Sequence, residues 1–163
     1  MSNVVTLDLL WFQIWLIMGV HLHFQKSVTL KNRRKLQEFL VDVANSHDHV
    51  IDRIDFIFCS DEELLEINKS ALHHDYYTDI LTFDLSETKG TIVAEIYISV
   101  DRVKDNAAQF NQLFIHELHR VIFHGLLHLL GYRDKAKKEA LIMREMESIL
   151  LSEYFNVPRE TFS

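Results

Sequence analysis

The sequence predicts an α+β fold: one small mixed β-sheet packed with helices, and a helical C-terminal half carrying a metal site. Three observations lead there. Runs rich in β-branched and aromatic residues, IDRIDFIFC, TDILTFDL and TIVAEIYISV, all lie in the first hundred positions. From Ser99 onward the apolar spacing becomes helical. Four glycines and one proline in 163 residues, with no repeat or low-complexity tract, leave only short connections inside one compact unit. That length suits a single core, so the expected division is an apolar extension at 1–19, one domain at 20–155 and a tail at 156–163.

The elements follow in order. MSNVVTLDLLWFQIWLIMGV is apolar enough to suggest a signal peptide or membrane span. It lacks a preceding Lys or Arg, is interrupted by Asp8 and Gln13, and runs into His-Leu-His instead of a small-residue cleavage site. Export and anchoring are therefore disfavoured, and no membrane partner is expected. Met18 offers an alternative functional start, with Trp11, Phe12 and Trp15 in a loosely attached extension. VHLHF at 20–24 alternates as a strand does, whereas LKNRRKLQEFLVDVAN at 30–45 has helical spacing through Leu36, Phe39, Leu40 and Val43. IDRIDFIFC at 51–59 is a mostly buried strand ending in the single cysteine, Cys59. One cysteine forms no internal disulfide, which fits a reducing compartment.

Ser60 with Glu63 three residues later has the form of a capping box, so a helix begins there. TDILTFDL at 78–85 and TIVAEIYISV at 91–100, joined by the polar SETKG, predict an antiparallel hairpin. Three helices follow, in VDRVKDNAAQF, NQLFIHELHRVIFHGLLHLL and KAKKEALIMREMESILLSEY.

The chemistry concentrates in HGLLHLLGYRD at 124–134. Residues four apart share a helix face, which lets His124 and His128 reach one ion. Gly131 suits the left-handed position that ends a helix, so the chain turns back and carries Asp134 toward the same point. Two nitrogens and one oxygen leave a position open for water, as in a catalytic site. The metal-bound water is the only reacting group this pattern supplies, and no catalytic side chain is assigned. Set against this, a histidine pair on an apolar helix in a chain with ten histidines is often a pair of hydrogen-bonded core residues.

HxxxHxxGxxD is also the spacing of metzincin zinc peptidases, which carry a Glu general base directly after the first histidine. Here that position is Gly125. A peptidase is therefore the weaker reading. HGLLHLLGYRD instead resembles the YbeY family of bacterial endoribonucleases and rRNA maturation factors, whose hallmark is HGxLHLxGYxH. TDILTF at 78–83, AEIYIS at 94–99 and LLEINKSALHHDYY at 64–77 resemble further family segments in the same order, covering about 30–155.

The resemblance implies an α+β fold and metal-dependent cleavage of single-stranded RNA. It also implies a cytoplasmic role in 16S rRNA 3′-end maturation and quality control on the ribosomal small subunit. By position the metal ligands are His124, His128 and Asp134. Asp134 stands where most members have His, and Leu72 stands where many carry an arginine thought to touch RNA. An Asp ligand leaves about +1 on a zinc-type centre where three imidazoles leave +2, which weakens its pull on bound water and favours harder ions. One zinc ion is the expected cofactor, with manganese or nickel as alternatives.

The net charge of -7 excludes binding RNA through bulk electrostatics, so phosphate contacts must be local. Arg120, one turn before His124, is the candidate substrate contact, and an ion pair with Glu117 or a neighbouring helix is its competing role. Lys135, Lys137 and Lys138 could form a basic patch or simply a solvated helix start. Glu117 is a candidate to orient a ligand histidine from behind. HHD at 73–75 is expected to be a polar surface turn, and His21, His23, His116 and His119 are expected in ordinary surface or core roles. A non-catalytic, metal-stabilised ribosome-assembly factor remains the alternative to an enzyme.

Overall fold

The computed structural model describes residues 19–162; the apolar run at 1–18 lies outside them. The element order is β1 (Val20–Phe24), α1 (Arg33–Ser46), β2 (Val50–Cys59), α2 (Asp61–Leu72), β3 (Ile80–Asp84), β4 (Thr91–Ser99), α3 (Val100–Gln109), α4 (Phe114–Leu129) and α5 (Lys137–Phe155). A 3₁₀ turn at Arg159–Phe162 closes the chain. The strands form one sheet in the order β1-β2-β4-β3. β1 runs parallel to β2 and β2 parallel to β4, while β3 and β4 form the expected antiparallel hairpin. The sheet is thus mixed, because parallel neighbours need helical crossovers whereas a short polar loop suffices for the hairpin.

Alternation along the strands decides which face is buried. Ile54, Phe56 and Phe58 of β2 and Ile92, Ala94, Ile96 and Ile98 of β4 point into the principal core and are almost fully buried. Onto that face pack Leu36 and Leu40 of α1 and Leu118, Ile122 and Leu126 of α4, while Leu150 and Leu151 of α5 join the same core from the far side of α4. Each such side chain contributes roughly 1.5–3 kcal/mol relative to exposure. The opposite face carries Asp55, held by Arg53 and His23, and Tyr97, whose hydroxyl donates to Glu95.

Local rules place the helix starts. The Ser60 hydroxyl accepts from the Glu63 backbone N–H while the Glu63 carboxylate accepts from that of Ser60, so the capping box forms. The segment after α5 does more than trail from it. Phe162 is buried, its ring packs on His116 and Phe155, and its carbonyl accepts from Arg120. No helix among the described residues is long and apolar enough to cross a membrane.

Two consequences of this packing position the site. α4 is buried along most of its length, including Glu117 and His119, and its C-terminal end emerges beside the β3 edge. Between that end, β3 and the end of α2 lies a cleft of about 650 Å³.

Candidate metal centre

His124 and His128 stand one turn apart at the end of α4, with rings 4.4 Å apart and nearly perpendicular. Beyond them the helix ends as the sequence predicts. Gly131 adopts φ +93°, its N–H reaches the His128 carbonyl, and the Tyr132 N–H reaches that of Leu127. This turn brings the Tyr132 carbonyl back to the His128 ring and Asp134 back to both histidines.

Hydrogen bonding fixes what the two rings present. The Nδ1–H of His128 donates to the Tyr132 carbonyl at 3.0 Å, because a carbonyl oxygen only accepts. The Nδ1–H of His124 donates to Glu147 Oε1 at 2.7 Å. In neutral imidazoles with Nδ1 so committed, both Nε2 atoms carry lone pairs, and they face each other at 2.9 Å. Two lone pairs at that distance repel unless a cation lies between them. Asp134 Oδ2 completes the triangle at 3.7 Å from His124 Nε2 and 3.6 Å from His128 Nε2. Donors about 2.0–2.2 Å from a tetrahedral ion lie about 3.4 Å from one another, so these separations bracket the requirement. The donor set fits one divalent ion, and these three residues are the one group among the described residues with such geometry.

Glu147, on α5, is the residue that orients His124, a role for which the sequence offered Glu117 as a candidate. Glu117 faces Arg120 instead, at 3.2 Å, and forms no hydrogen bond or ion pair with His124 or His128. Helical spacing placed Glu117 two turns before His124, whereas the partner comes from a different helix 23 residues downstream. A signal for Glu147 was present: it falls on the buried stripe of α5 with Met143, Leu150 and Tyr154, where an acid requires a partner. Burial opposes protonation of His124, but the hydrogen bond and charge of Glu147, with Asp134 and Asp79 beyond, hold its pKa above the ordinary histidine value. An ion therefore enters in competition with a proton.

Arg120 is placed behind this arrangement. Its guanidinium donates to Glu117, to Glu147 Oε2 at 3.4 Å and to the Phe162 carbonyl, in a separate cavity with Phe110, Gln112 and Arg144. The structure does not bring it to the cleft that holds His124, His128 and Asp134. Burial pushes the Glu117 carboxyl up, against the opposing charge of Arg120.

The other candidates divide in two. Lys135 and His74 line the cleft, as do Leu72, Tyr76 and Asp79, while Lys137 and Lys138 are exposed at the first turn of α5. His21 and His23 lie exposed on β1, and His116 and His119 pack among Tyr154, Phe155 and Phe162. Gly125, read from sequence as a missing base, has a packing role as well. A Cβ there would meet Ile80 Cδ1 at 2.9 Å and two Ile96 carbons at 3.1 Å, so the helix seats directly on the sheet and leaves no room for a carboxylate.

A family model described as Endoribonuclease YbeY matches residues 21–155. A protein from Cytophaga hutchinsonii named Endoribonuclease YbeY is 50% identical over 123 residues, 76% of this chain and 86% of that one. A Bacteroides thetaiotaomicron protein of the same name is 44% identical over 120 residues, 74% and 87% of the two chains. Among solved structures, a solution structure from Thermotoga maritima superposes with a TM-score of 0.54 at 28% identity, covering 86% of this chain and 95% of the other.

Proposed function

This chain belongs to the Endoribonuclease YbeY family, and from that premise we propose that it is a metal-dependent endoribonuclease cutting single-stranded RNA at His124, His128 and Asp134. The observation that carries the reading is the pair of opposed Nε2 atoms closed by Asp134 on the wall of an open cleft. Ribosomal RNA at the 16S 3′ end, on the small subunit in the cytoplasm, is the proposed substrate and setting. Zinc is the proposed ion.

The side chains divide the work. His124 and His128 hold the ion through Nε2, and Asp134 supplies the anionic donor from beyond the Gly131 turn. Glu147 and the Tyr132 carbonyl lock the two rings so that neither Nε2 rotates away. The chemistry a divalent ion supplies here is polarisation of a phosphoryl oxygen or acidification of water. Lys135, on the same wall, offers an ammonium to a phosphate, and Arg120 acts from behind through Glu147. A peptidase route lacks both the base and the space for one at position 125.

The test combines elemental analysis of the purified protein with cleavage of single-stranded RNA with and without chelator. One equivalent of transition metal and chelator-sensitive cutting are expected. His128→Ala and Asp134→Ala should each lose metal and activity by more than the roughly 10–100-fold produced by disturbing an outer-shell partner. Full activity in Asp134→Ala with unchanged metal content would overturn the ligand set. Protein that melts lower on chelation yet never cuts RNA would be an assembly factor instead. Product ends identify the nucleophile: a 2′,3′-cyclic phosphate marks attack by the ribose hydroxyl.

A further inference from the structure

The wall of the cleft opposite the histidines is aromatic and exposed. Leu72 ends α2, His73 turns the chain in the left-handed conformation at φ 57°, and residues 74–76 fold back over the helix end. His74 and Tyr76 stack there with ring centroids 5.2 Å apart and an interplanar angle of 23°. Tyr76 Oη lies 3.1 Å from His74 Nδ1, which ties the two rings together. Tyr76 is 57% exposed, and among the described residues His74 is its only ring contact. Its neighbour Tyr77 differs, because the Arg102 guanidinium covers that ring at 4.6 Å.

The platform is held from below. Asn68, 1% exposed, donates from Nδ2 to the Tyr76 carbonyl at 2.9 Å, and its backbone carbonyl accepts from His74. Lys69 and Asp75 pair across the turn at 3.1 Å. Two polar atoms remain unsatisfied in the same cleft wall: Asn68 Oδ1 and Thr82 Oγ1 are buried and have no hydrogen-bond partner among the described residues.

We propose that the stacked His74–Tyr76 pair is a nucleobase platform that holds one base of the RNA strand beside the candidate metal centre. This rests on the nuclease reading, since the cleft is continuous with His124, His128 and Asp134. Net charge favours the same conclusion. A chain at -7 gains little from counterion release, so affinity for a polyanion must come from contacts that ignore charge. Stacking on an aromatic ring is such a contact, and it tolerates every base.

The experiment uses the metal-loaded full chain and short single-stranded RNAs in which 2-aminopurine replaces one base at a time. The parent should quench the probe strongly at one position. Tyr76→Ala should abolish that quenching and raise KM by about tenfold, with kcat within about twofold of the parent. Tyr76→Phe, which keeps the ring and gives up only the hydrogen bond to His74, should retain the quenching position and most of the affinity. An unchanged KM and quenching profile in Tyr76→Ala would overturn the platform. So would a Tyr76→Phe variant as impaired as Tyr76→Ala, because the hydroxyl and not the ring would then matter. Quenching needs no cleavage, so a parent that stacks the probe but cuts nothing would refute the nuclease reading alone.

Discussion

His119 shows how one side chain can set a pH limit without touching the site. It is 1% exposed, its Nδ1 donates to the Ile115 carbonyl, and its Nε2 has no partner among the described residues. Burial pushes its pKa down to about 4 from an ordinary 6.5, with the Ile115 hydrogen bond opposing and nearby His116 and Lys35 adding a little. The folded pKa lies below the unfolded one, so the unfolded chain binds more protons between the two values. Stability present above pH 6.5 is therefore lost as pH falls toward 4. At pH 5 the loss amounts to about 2 kcal/mol. His119→Phe, which keeps a ring among Phe123, Tyr154 and Phe155, should flatten that dependence. Urea unfolding of both proteins at pH 7 and pH 5 measures it, and equal losses in the two would remove His119 as the cause.

At the scale of elements, α4 seated on the sheet is the feature that matters, and Gly125 is its point of closest approach. Gly125→Ala gains about 1 kcal/mol of helix propensity and is opposed by about 1–3 kcal/mol of overpacking against Ile80 and Ile96. A net loss of about 1 kcal/mol is expected by thermal or urea unfolding. Gly125→Glu adds a buried, unpaired carboxylate and should lose more than about 3 kcal/mol, so the peptidase base cannot be restored by that change. The same helix shows what a sequence displays and what it hides. The histidine pair, the Gly131 turn and Asp134 lie within eleven residues and obey local rules, so their convergence was legible. The hairpin was legible for the same reason, since β3 and β4 are joined by a short polar loop. The strand order β1-β2-β4-β3 and the Glu147 bond to His124 depend on how distant segments pack, and periodicity on one element carries no information about its neighbour. Arg120 illustrates the cost of that blindness, because helical spacing put it on the ligand face while α5 and Phe162 drew its guanidinium the other way.

For the whole molecule, the candidate metal centre is where α4, α5 and the C-terminal segment are joined electrically. Behind the histidines, one cation, Arg120, faces two buried carboxylates, Glu117 and Glu147. One negative charge is left over, and it leans on His124. A divalent ion held by His124 compensates that charge and ties the end of α4 to the Asp134 turn, so it should stabilise the entire fold. At an ion concentration about 100 times its Kd, the gain is about 2.7 kcal/mol, or about 5–10 °C in Tm for a domain of this size. Asp134→Ala should lose most of that shift by removing a ligand. Glu147→Gln should lose less of it, since an outer-shell partner alters affinity by roughly 10–100-fold. It should leave the metal-free protein close to parental stability, because Arg120 and Glu117 then form a balanced pair. Thermal melts of the three proteins with chelator and with added zinc separate these effects. A parent Tm indifferent to chelation would mean that the opposed imidazoles hold a proton and not a metal ion.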